Sequence, residues 1–213
     1  MAYRVKELFY TLQGEGQNSG RSAVFCRFSG CNLWSGKESD RFRAICQFCD
    51  TDFVGIDGLG GGEFTFPEEL GTAIKKAWQP SRNGKGKPLV VCTGGEPLLQ
   101  LDSPLIDELH LAGFEIAIET NGTIPVPRGI DWVCVSPKAN TRLVVTEGDE
   151  LKFVFPQEGA TPEQYAQLNF RHFYLQPLDG PRLSHNRQLA VDYCLANPQW
   201  RLSIQTHKLL GIR

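Results

Sequence analysis

The sequence predicts an α/β protein whose parallel sheet forms a partial, open barrel of about six strands, with helices outside. Short β-branched or aromatic runs alternate with helical patterns, and this order is typical of a parallel sheet. A closed eight-stranded barrel usually needs about 250 residues, whereas this chain has 213. We therefore expect a single domain over residues 1–213.

Six runs have the composition of buried strands bounded by turn residues. They cover residues 22–28, 88–95, 114–122, 131–138, 150–156 and 172–180. Polar segments stand at their carboxyl ends: Gly-Cys at 30–31, TGGEP at 93–97, ETNG at 119–122, SPK at 136–138 and QPLD at 176–179. Since parallel strands end at one face, where α/β proteins place their sites, these segments should share one mouth.

Four segments between the strands predict helices. They are 66–79 with Pro67 near its start, 102–113 ending on Gly113, 161–168 with Thr161 as N-cap, and 184–197 opened by Ser184. Segments 55–64 and 81–88 are rich in glycine, but neither has the spacing of a phosphate-binding motif. We expect both to be flexible surface loops.

Charge and hydropathy exclude several classes of function. A net charge of -2 and a pI near 6.1 leave no basic stripe, so neither nucleic acid nor an anionic membrane is an expected partner. The first twenty residues contain charges and glycine but no uninterrupted apolar stretch, so we expect neither a signal peptide nor a membrane span. The sequence favours a cytoplasmic protein that acts on a small molecule.

Three of the seven cysteines, Cys31, Cys46 and Cys49, form the only cluster in the sequence. In a reducing compartment such a cluster indicates metal binding or catalysis. A structural zinc site needs a fourth ligand from elsewhere. An iron-sulfur cubane held by three thiolates keeps one iron open for a substrate or cofactor. The spacing alone leaves both open. The other cysteines, which we expect to be small buried hydrophobes, are Cys26, Cys92, Cys134 and Cys194.

The cysteine triplet, the aromatic Phe48 before its third member, and GGEP at 94–97 together resemble the radical S-adenosylmethionine superfamily. Fourteen residues and then two separate the cysteines here, where that superfamily usually has three and then two. With QGEG at 13–16 and CDT at 49–51, the chain resembles the 7-carboxy-7-deazaguanine synthase family. The resemblance runs from residue 10 to about residue 179 and extends to QTHKLLGIR at the end.

The resemblance implies a carbon-nitrogen lyase. In that family the three thiolates hold a [4Fe-4S] cluster, S-adenosylmethionine chelates the fourth iron, and reductive cleavage yields a 5'-deoxyadenosyl radical. The radical takes the C6 hydrogen of 6-carboxy-5,6,7,8-tetrahydropterin before ring contraction and loss of ammonia, on the way to queuosine and other deazapurines. The resemblance also implies Mg²⁺, a flavodoxin-like reductant and a homodimer.

The resemblance also assigns residues to the cofactors. The expected S-adenosylmethionine contacts are Gln47, Phe48, Cys49, Asp50, Gly94, Gly95, Glu96, Ser136, Pro137, Lys138, Gln176, Pro177, Leu178 and Asp179. The two glycines let the backbone approach the cofactor, and Glu96 either accepts from its ammonium group or holds the loop. Thr51 matches the magnesium ligand, although Asp50 and Asp52 flank it.

A carboxylate on a flat polar heterocycle needs a fixed guanidinium and several hydrogen-bonding partners. Arg27 suits the carboxylate, and the alternative for it is an ion pair at the bottom of the barrel. The expected contacts of the pterin edge are Leu12, Gln13, Gly14 and Glu15, joined by Thr93 and by His207 as a neighbour.

Two other functions remain alternatives at this point. One is a radical S-adenosylmethionine activase that installs a glycyl radical on a partner protein. The other is a non-catalytic zinc or iron-sulfur module that serves as a scaffold or electron carrier. The long loop 32–45 either shapes the site or docks the reductant.

Overall fold

The computed structural model describes residues 2–79 and 86–213, so residues 81–85 of the predicted loop 81–88 lie outside the described residues. Its strands are β1 Tyr3–Leu12, β2 Ser22–Phe28, β3 Gly62–Phe64, β4 Leu89–Gly94, β5 Glu115–Thr120, β6 Trp132–Val135, β7 Glu147–Phe155, β8 Asn169–Pro177 and β9 Trp200–Leu202. Its helices are α1 Pro67–Ala77, α2 Ser103–Leu111, α3 Leu183–Ala196 and α4 Thr206–Leu210, with short 3₁₀ helices at Glu38–Arg43, Pro97–Leu99 and Pro162–Gln164.

All nine strands form one open sheet in the order β3-β1-β2-β4-β5-β6-β7-β8-β9. From β2 to β9 every neighbouring pair is parallel, while β1 runs antiparallel to both β2 and β3. The open, mainly parallel α/β fold predicted from the sequence is confirmed, and each of the six predicted runs contains a strand. Seven strands are parallel, the six predicted ones and the short β9, while the antiparallel β1 and β3 were not predicted.

Strand β1 does not show the alternation of apolar and polar residues that predicts a strand, because its register shifts between Val5 and Glu7. Val5 and Leu8 both face the helix side of the sheet, in the core cluster with Val24, although three positions separate them. One extra residue in a strand reverses the face of every following side chain. The alternation of buried and exposed residues in YRVKELFYTL is therefore interrupted between Val5 and Glu7, and a strand is hard to predict from it.

The helix-facing side of the sheet holds the main hydrophobic core. Val24, Cys26, Val90, Ile116 and Ile118 of neighbouring strands pack there against α1 and α2. A second cluster joins β7 and β8 to α3. Each fully buried Leu, Ile or Val contributes roughly 1.5–3 kcal/mol, so this face fixes the strand positions. The opposite face carries a smaller apolar cluster of Ala23, Leu89, Val91 and Ala117.

Local signals set the helix starts. Pro67 opens α1 as predicted, and Asp102 caps α2 by accepting from the Leu105 N–H at 3.2 Å. Two helix predictions need correction. The segment after Thr161 forms only a 3₁₀ turn, Pro162–Gln164, and α3 begins at Leu183 after a turn in which the Leu183 N–H donates to the Gly180 carbonyl, so Ser184 lies inside the helix.

In the part of the chain that the structure describes, each helix is too short or too polar to cross a membrane.

Candidate active site

A cavity of about 360 Å³ opens at the carboxyl ends of the parallel strands. The predicted polar strand ends line it together: Thr93 to Gly95 at the end of β4, Glu119 to Asn121 at the end of β5, Ser136 and Lys138 after β6, and Gln176 to Asp179 at the end of β8. The segments after β1, the cysteine loop and the C-terminal residues complete the wall. The structure thus brings the predicted mouth into one place.

The three clustered cysteines line this cavity. Their loop folds back on itself, because the Gly30 N–H donates to the Phe53 carbonyl at 3.2 Å and the Cys46 N–H to the Leu33 carbonyl at 3.4 Å. Among the described residues no other thiol reaches the cavity. Cys26, Cys92 and Cys134 are buried as predicted, whereas Cys194 on α3 is only half-buried, so that prediction was wrong for Cys194.

The chemistry of this donor set fits an iron-sulfur cluster. Burial raises the pKa of both the Cys31 and the Cys46 thiols, so binding iron at these positions releases protons. Within residues 2–79 and 86–213 no three acidic, histidine or cysteine side chains surround one point closely enough for a single metal ion. Thiolates that each hold a different corner of a cubane need no such point.

The long loop 32–45 forms a brace over the paired cysteines. Its 3₁₀ turn places the Arg41 guanidinium 4.0 Å from the centre of the Trp34 ring. Arg41 also donates to the backbone carbonyls of Gln47 at 2.9 Å and Cys49 at 3.0 Å. These contacts support the alternative in which the loop shapes the site; docking of a reductant stays a prediction.

Gly94 and Gly95 are required by close packing. A Cβ on Gly95 would lie 2.1 Å from the Gly30 carbonyl oxygen and 2.7 Å from the Cβ of Cys31. Gly94 has a φ of +137°, and a Cβ there would lie 2.2 Å from the Phe28 carbonyl oxygen. The end of β4 therefore fits directly against the backbone that leads into the first cysteine.

Glu96 holds the loop. It is fully buried and accepts hydrogen bonds from the Thr120 hydroxyl, the Asn121 N–H and the Leu98 N–H at 2.8 to 3.1 Å. Burial raises the pKa of Glu96. Of the two roles predicted for it, the structure favours the one as keeper of the loop.

Most predicted cofactor residues line the cavity, but Gln47, Glu96 and Pro137 do not. Gln47 is exposed and donates to the Phe42 carbonyl at 3.2 Å, and Pro137 is buried. Contacts of these three residues with the cofactor stay a prediction. Lys138 lines the cavity, and its ammonium donates to both the carbonyl and the hydroxyl of Ser136 at 2.7 Å.

Arg27 faces the cavity from β2. Its Nε donates to Glu7 at 2.8 Å, and its guanidinium lies 6.0 Å from the centre of the Phe9 ring. Among the described residues its two terminal nitrogens have no partner. An ion pair therefore exists, as the alternative interpretation held, but it lies in the cavity wall and leaves the outer edge of the guanidinium free.

The C-terminal helix α4 covers the segment Leu12 to Glu15. The Thr206 N–H and hydroxyl both donate to the Gly14 carbonyl, at 3.0 and 2.8 Å. A Cβ on Gly14 would lie 2.2 Å from Nδ1 of His207. Gly14 is thus the residue that allows His207 to reach the cavity wall.

A chain of polar contacts crosses the cavity floor. Gln13 Nε2 and Lys152 Nζ both donate to Glu119 Oε1 at 3.1 Å, and the Thr93 hydroxyl donates to Glu119 Oε2 at 3.2 Å. Lys152 also donates to Glu15 at 2.5 Å. Burial by itself raises the pKa of Glu15, but the Lys152 ammonium outweighs it and lowers that pKa to about 2.

The predicted magnesium position, Thr51, lines the cavity between two engaged acids. Asp50 accepts from Lys208 at 2.6 Å, and Asp52 pairs with Lys6 at 3.0 Å. Lys208 also donates to Asp179 at 2.5 Å and so joins two of the predicted cofactor residues.

No protein-family model matches the chain. It is 62% identical over 212 residues to the 7-carboxy-7-deazaguanine synthase of Caulobacter vibrioides and 60% identical over 212 residues to that of Burkholderia multivorans, and each alignment covers 100% of both chains. The chain belongs to the 7-carboxy-7-deazaguanine synthase family. Its fold matches the crystal structure of QueE from Escherichia coli with a TM-score of 0.71 and 30% identity, over 96% of this chain and 94% of the other.

Sequence reasoning assigned no site role to several polar residues that line this cavity, among them Glu119, Lys152, Gln205 and Lys208. Two of them carried a usable signal. Glu119 stands in the ETNG segment at a predicted strand end, and Lys152 is a lone cation inside the apolar strand ELKFVFP. A charged residue in a buried strand needs a partner, so its presence indicates a polar site on one face of the sheet.

Proposed function

We propose that the chain is a radical S-adenosylmethionine lyase that converts 6-carboxy-5,6,7,8-tetrahydropterin to 7-carboxy-7-deazaguanine. The observation that carries the proposal is that one cavity is lined both by three clustered thiols and by a guanidinium with a free edge. The full-length identity to 7-carboxy-7-deazaguanine synthases supports the choice of substrate.

In this proposal Cys31, Cys46 and Cys49 hold a [4Fe-4S] cluster, and the strand ends from Gly94 to Asp179 bind S-adenosylmethionine beside it. When bound, the reduced cluster and S-adenosylmethionine supply a 5'-deoxyadenosyl radical. The chain's own residues orient the partners and exclude water. Lys138 and Phe48 form one wall, with the ammonium 5.9 Å from the centre of the ring.

The substrate lies between Arg27 and the floor. Arg27 pairs with the C6 carboxylate through its terminal nitrogens, because a guanidinium can form two parallel hydrogen bonds to a carboxylate. Gln13, Glu15 and Thr93 contact the pterin ring, and His207 closes over it from α4. Thr51 would hold Mg²⁺ through its hydroxyl, since this cation often takes few ligands from the protein.

Several further parts of the proposal rest on the resemblance: a flavodoxin-like reductant, a homodimer, a cytoplasmic location and a place in queuosine or deazapurine synthesis. Sedimentation of the reconstituted protein tests the homodimer, with a mass of twice 23.8 kDa as the expected result.

The direct test uses protein reconstituted anaerobically with iron and sulfide, reduced, and mixed with S-adenosylmethionine, Mg²⁺ and 6-carboxy-5,6,7,8-tetrahydropterin. We expect 5'-deoxyadenosine and 7-carboxy-7-deazaguanine to form together, as mass spectrometry would show. The appearance of 5'-deoxyadenosine alone would keep the radical chemistry and discard the substrate. The absence of both from a protein with an intact cluster would discard the proposed enzyme.

A further inference from the structure

Lys152 lies between two carboxylates at the floor of the cavity. Its ammonium is 2.5 Å from Glu15 and 3.1 Å from Glu119. The side chain of Lys152 is 6% exposed, that of Glu15 is 13% exposed and that of Glu119 is 23% exposed. All three side chains line the cavity, and the two acids are more exposed in it than the cation.

Neighbouring elements surround Lys152 with further charged or titratable groups. Glu150 on the same strand accepts from the Gln17 N–H at 2.9 Å, and Cys134 on β6 donates to that carboxylate at 3.4 Å. Lys138 after β6 interacts electrostatically with Lys152, and His207 on α4 interacts electrostatically with Glu15. Two carboxylates, those of Glu15 and Glu119, therefore share the one ammonium that touches them.

We propose that Lys152 is a positioning residue that holds Glu15 and Glu119 as a pair of ionised acceptors, so that the site selects a substrate edge rich in N–H donors. The inference deepens the proposed function and rests on it, since the aminopyrimidine edge of a pterin is an edge of this kind.

The acids have acceptor capacity left for a ligand. An ionised carboxylate offers about four acceptor positions, and the described contacts of Glu119 use three, from Lys152, Gln13 and Thr93. Glu15 accepts from Lys152 and from Gln205 at 3.0 Å. Both acids therefore remain able to accept from substrate N–H groups.

The distance between Arg27 and the acids of the cavity floor also fits a substrate of this kind. Arg27 on β2 is in register with Thr93 on β4, and the Thr93 hydroxyl bonds Glu119 on β5. Two strand spacings, roughly 10 Å, thus separate the guanidinium strand from the acid strand. A two-ring heterocycle with a carboxylate at one end and an amino group at the other can span them.

Loss of the ammonium changes which form of the acids is stable. Without Lys152, burial raises the pKa of Glu15, because burial disfavours the charged form and the ammonium that offsets it is gone. A protonated carboxyl donates where the substrate needs an acceptor. Substrate binding should then weaken at low pH and recover as the pH rises.

The test measures anaerobic binding of 6-carboxy-5,6,7,8-tetrahydropterin to the reconstituted holoenzyme by equilibrium dialysis between pH 5.5 and 8.5, alongside kcat/KM. For Lys152→Met we expect Kd to rise at least tenfold at pH 6 and less at pH 8.5, with iron content unchanged and partial rescue in Lys152→Arg. Lys76→Met, an exposed lysine on α1, is the matched control. A Kd and pH profile of Lys152→Met equal to those of this control would overturn the inference.

A second variant decides the matter if Lys152→Met does not fold. Glu119→Gln leaves Lys152 paired with Glu15, and we expect a tenfold or larger rise in Kd at every pH. An unchanged Kd would overturn the inference while leaving the proposed function intact. Failure of the unaltered holoenzyme to bind the pterin would instead overturn the proposed function.

Discussion

At the scale of single residues, the three clustered cysteines differ from the other four in what surrounds them. Cys26 and Cys92 are register partners in adjacent parallel strands and lie wholly within the helix-side core. Cys31, Cys46 and Cys49 line the cavity. Thiols in the core only pack, whereas thiols beside a cavity can bind metal.

We predict that Cys46→Ala abolishes assembly of a complete [4Fe-4S] cluster, because two thiolates remain where three are needed. Iron content and visible absorbance after anaerobic reconstitution measure the loss. Cys194→Ala on α3 is the control and should keep the full iron content. Equal iron in the two variants would contradict the assignment of the ligands.

We predict that Arg27→Met raises KM for the pterin by roughly 10- to 100-fold, the loss of about 1.5–3 kcal/mol expected for a hydrogen bond to a charged group. The change in kcat should be smaller, since a guanidinium that pairs with the carboxylate would do so both before and after the reaction. Arg171→Met removes an exposed cation that pairs with Asp149 and should leave KM unchanged. A fall in kcat with KM unchanged in Arg27→Met would contradict the role in substrate binding and place Arg27 in a structural role.

At the scale of elements, the junction between β4 and the cysteine loop depends on glycine. Gly95→Ala would place a methyl group against the Gly30 carbonyl and Cys31. Overpacking of this kind costs about 1–3 kcal/mol, and we expect lower iron retention together with a fall of several degrees in Tm.

Gly62→Ala provides a matched control, since its Cβ would meet nothing closer than 3.7 Å and its φ is ordinary. The Tm and the iron content should therefore fall in Gly95→Ala and stay unchanged in Gly62→Ala. Equal values would show that the junction can move without cost.

The elements also show where sequence reasoning succeeds and where it stops. Strands β2 and β4 to β8 were predictable because each contains a mainly apolar, β-branched or aromatic run that polar residues follow. Strand β1 was not, since its register shift breaks the alternation between Val5 and Leu8. Helix α4 is five residues long, and it is held by contacts with Gly14 and Asp50 that no local pattern reveals.

At the scale of the whole molecule, the buried charges of the floor link folding to pH. The pKa of Glu15 is about 2 in the folded chain against an ordinary value of 4.5. Glu15 therefore stabilises the fold above about pH 4.5, and that contribution is lost as the pH falls toward 2.

We predict that Glu15→Gln reduces the pH dependence of the free energy of unfolding between pH 4.5 and 2, by up to about 1.4 kcal/mol per pH unit for one proton. Urea unfolding of the cluster-free protein at a series of pH values measures this slope. Glu63→Gln, an exposed change on β3, is the control and should follow the unaltered protein. Parallel slopes for Glu15→Gln and the unaltered protein would contradict the buried pairing.

The site residues that could be predicted from the sequence are those at the carboxyl ends of strands. Arg27, Thr93 and the QPLD segment follow this rule and reach the cavity. Lys152 and Glu119 meet across strands 33 positions apart, and Lys208 reaches Asp50 across 158 positions. Such contacts depend on strand order and helix docking, which the sequence alone did not specify.

We propose that the cavity directs radical chemistry to C6 of the pterin. The most direct measurement supplies substrate deuterated at C6 to the reconstituted holoenzyme and determines the mass of the 5'-deoxyadenosine released. We predict that 5'-deoxyadenosine carries one deuterium and forms together with 7-carboxy-7-deazaguanine. Unlabelled 5'-deoxyadenosine accompanying the same product would contradict the claim, because the hydrogen would then have come from another position.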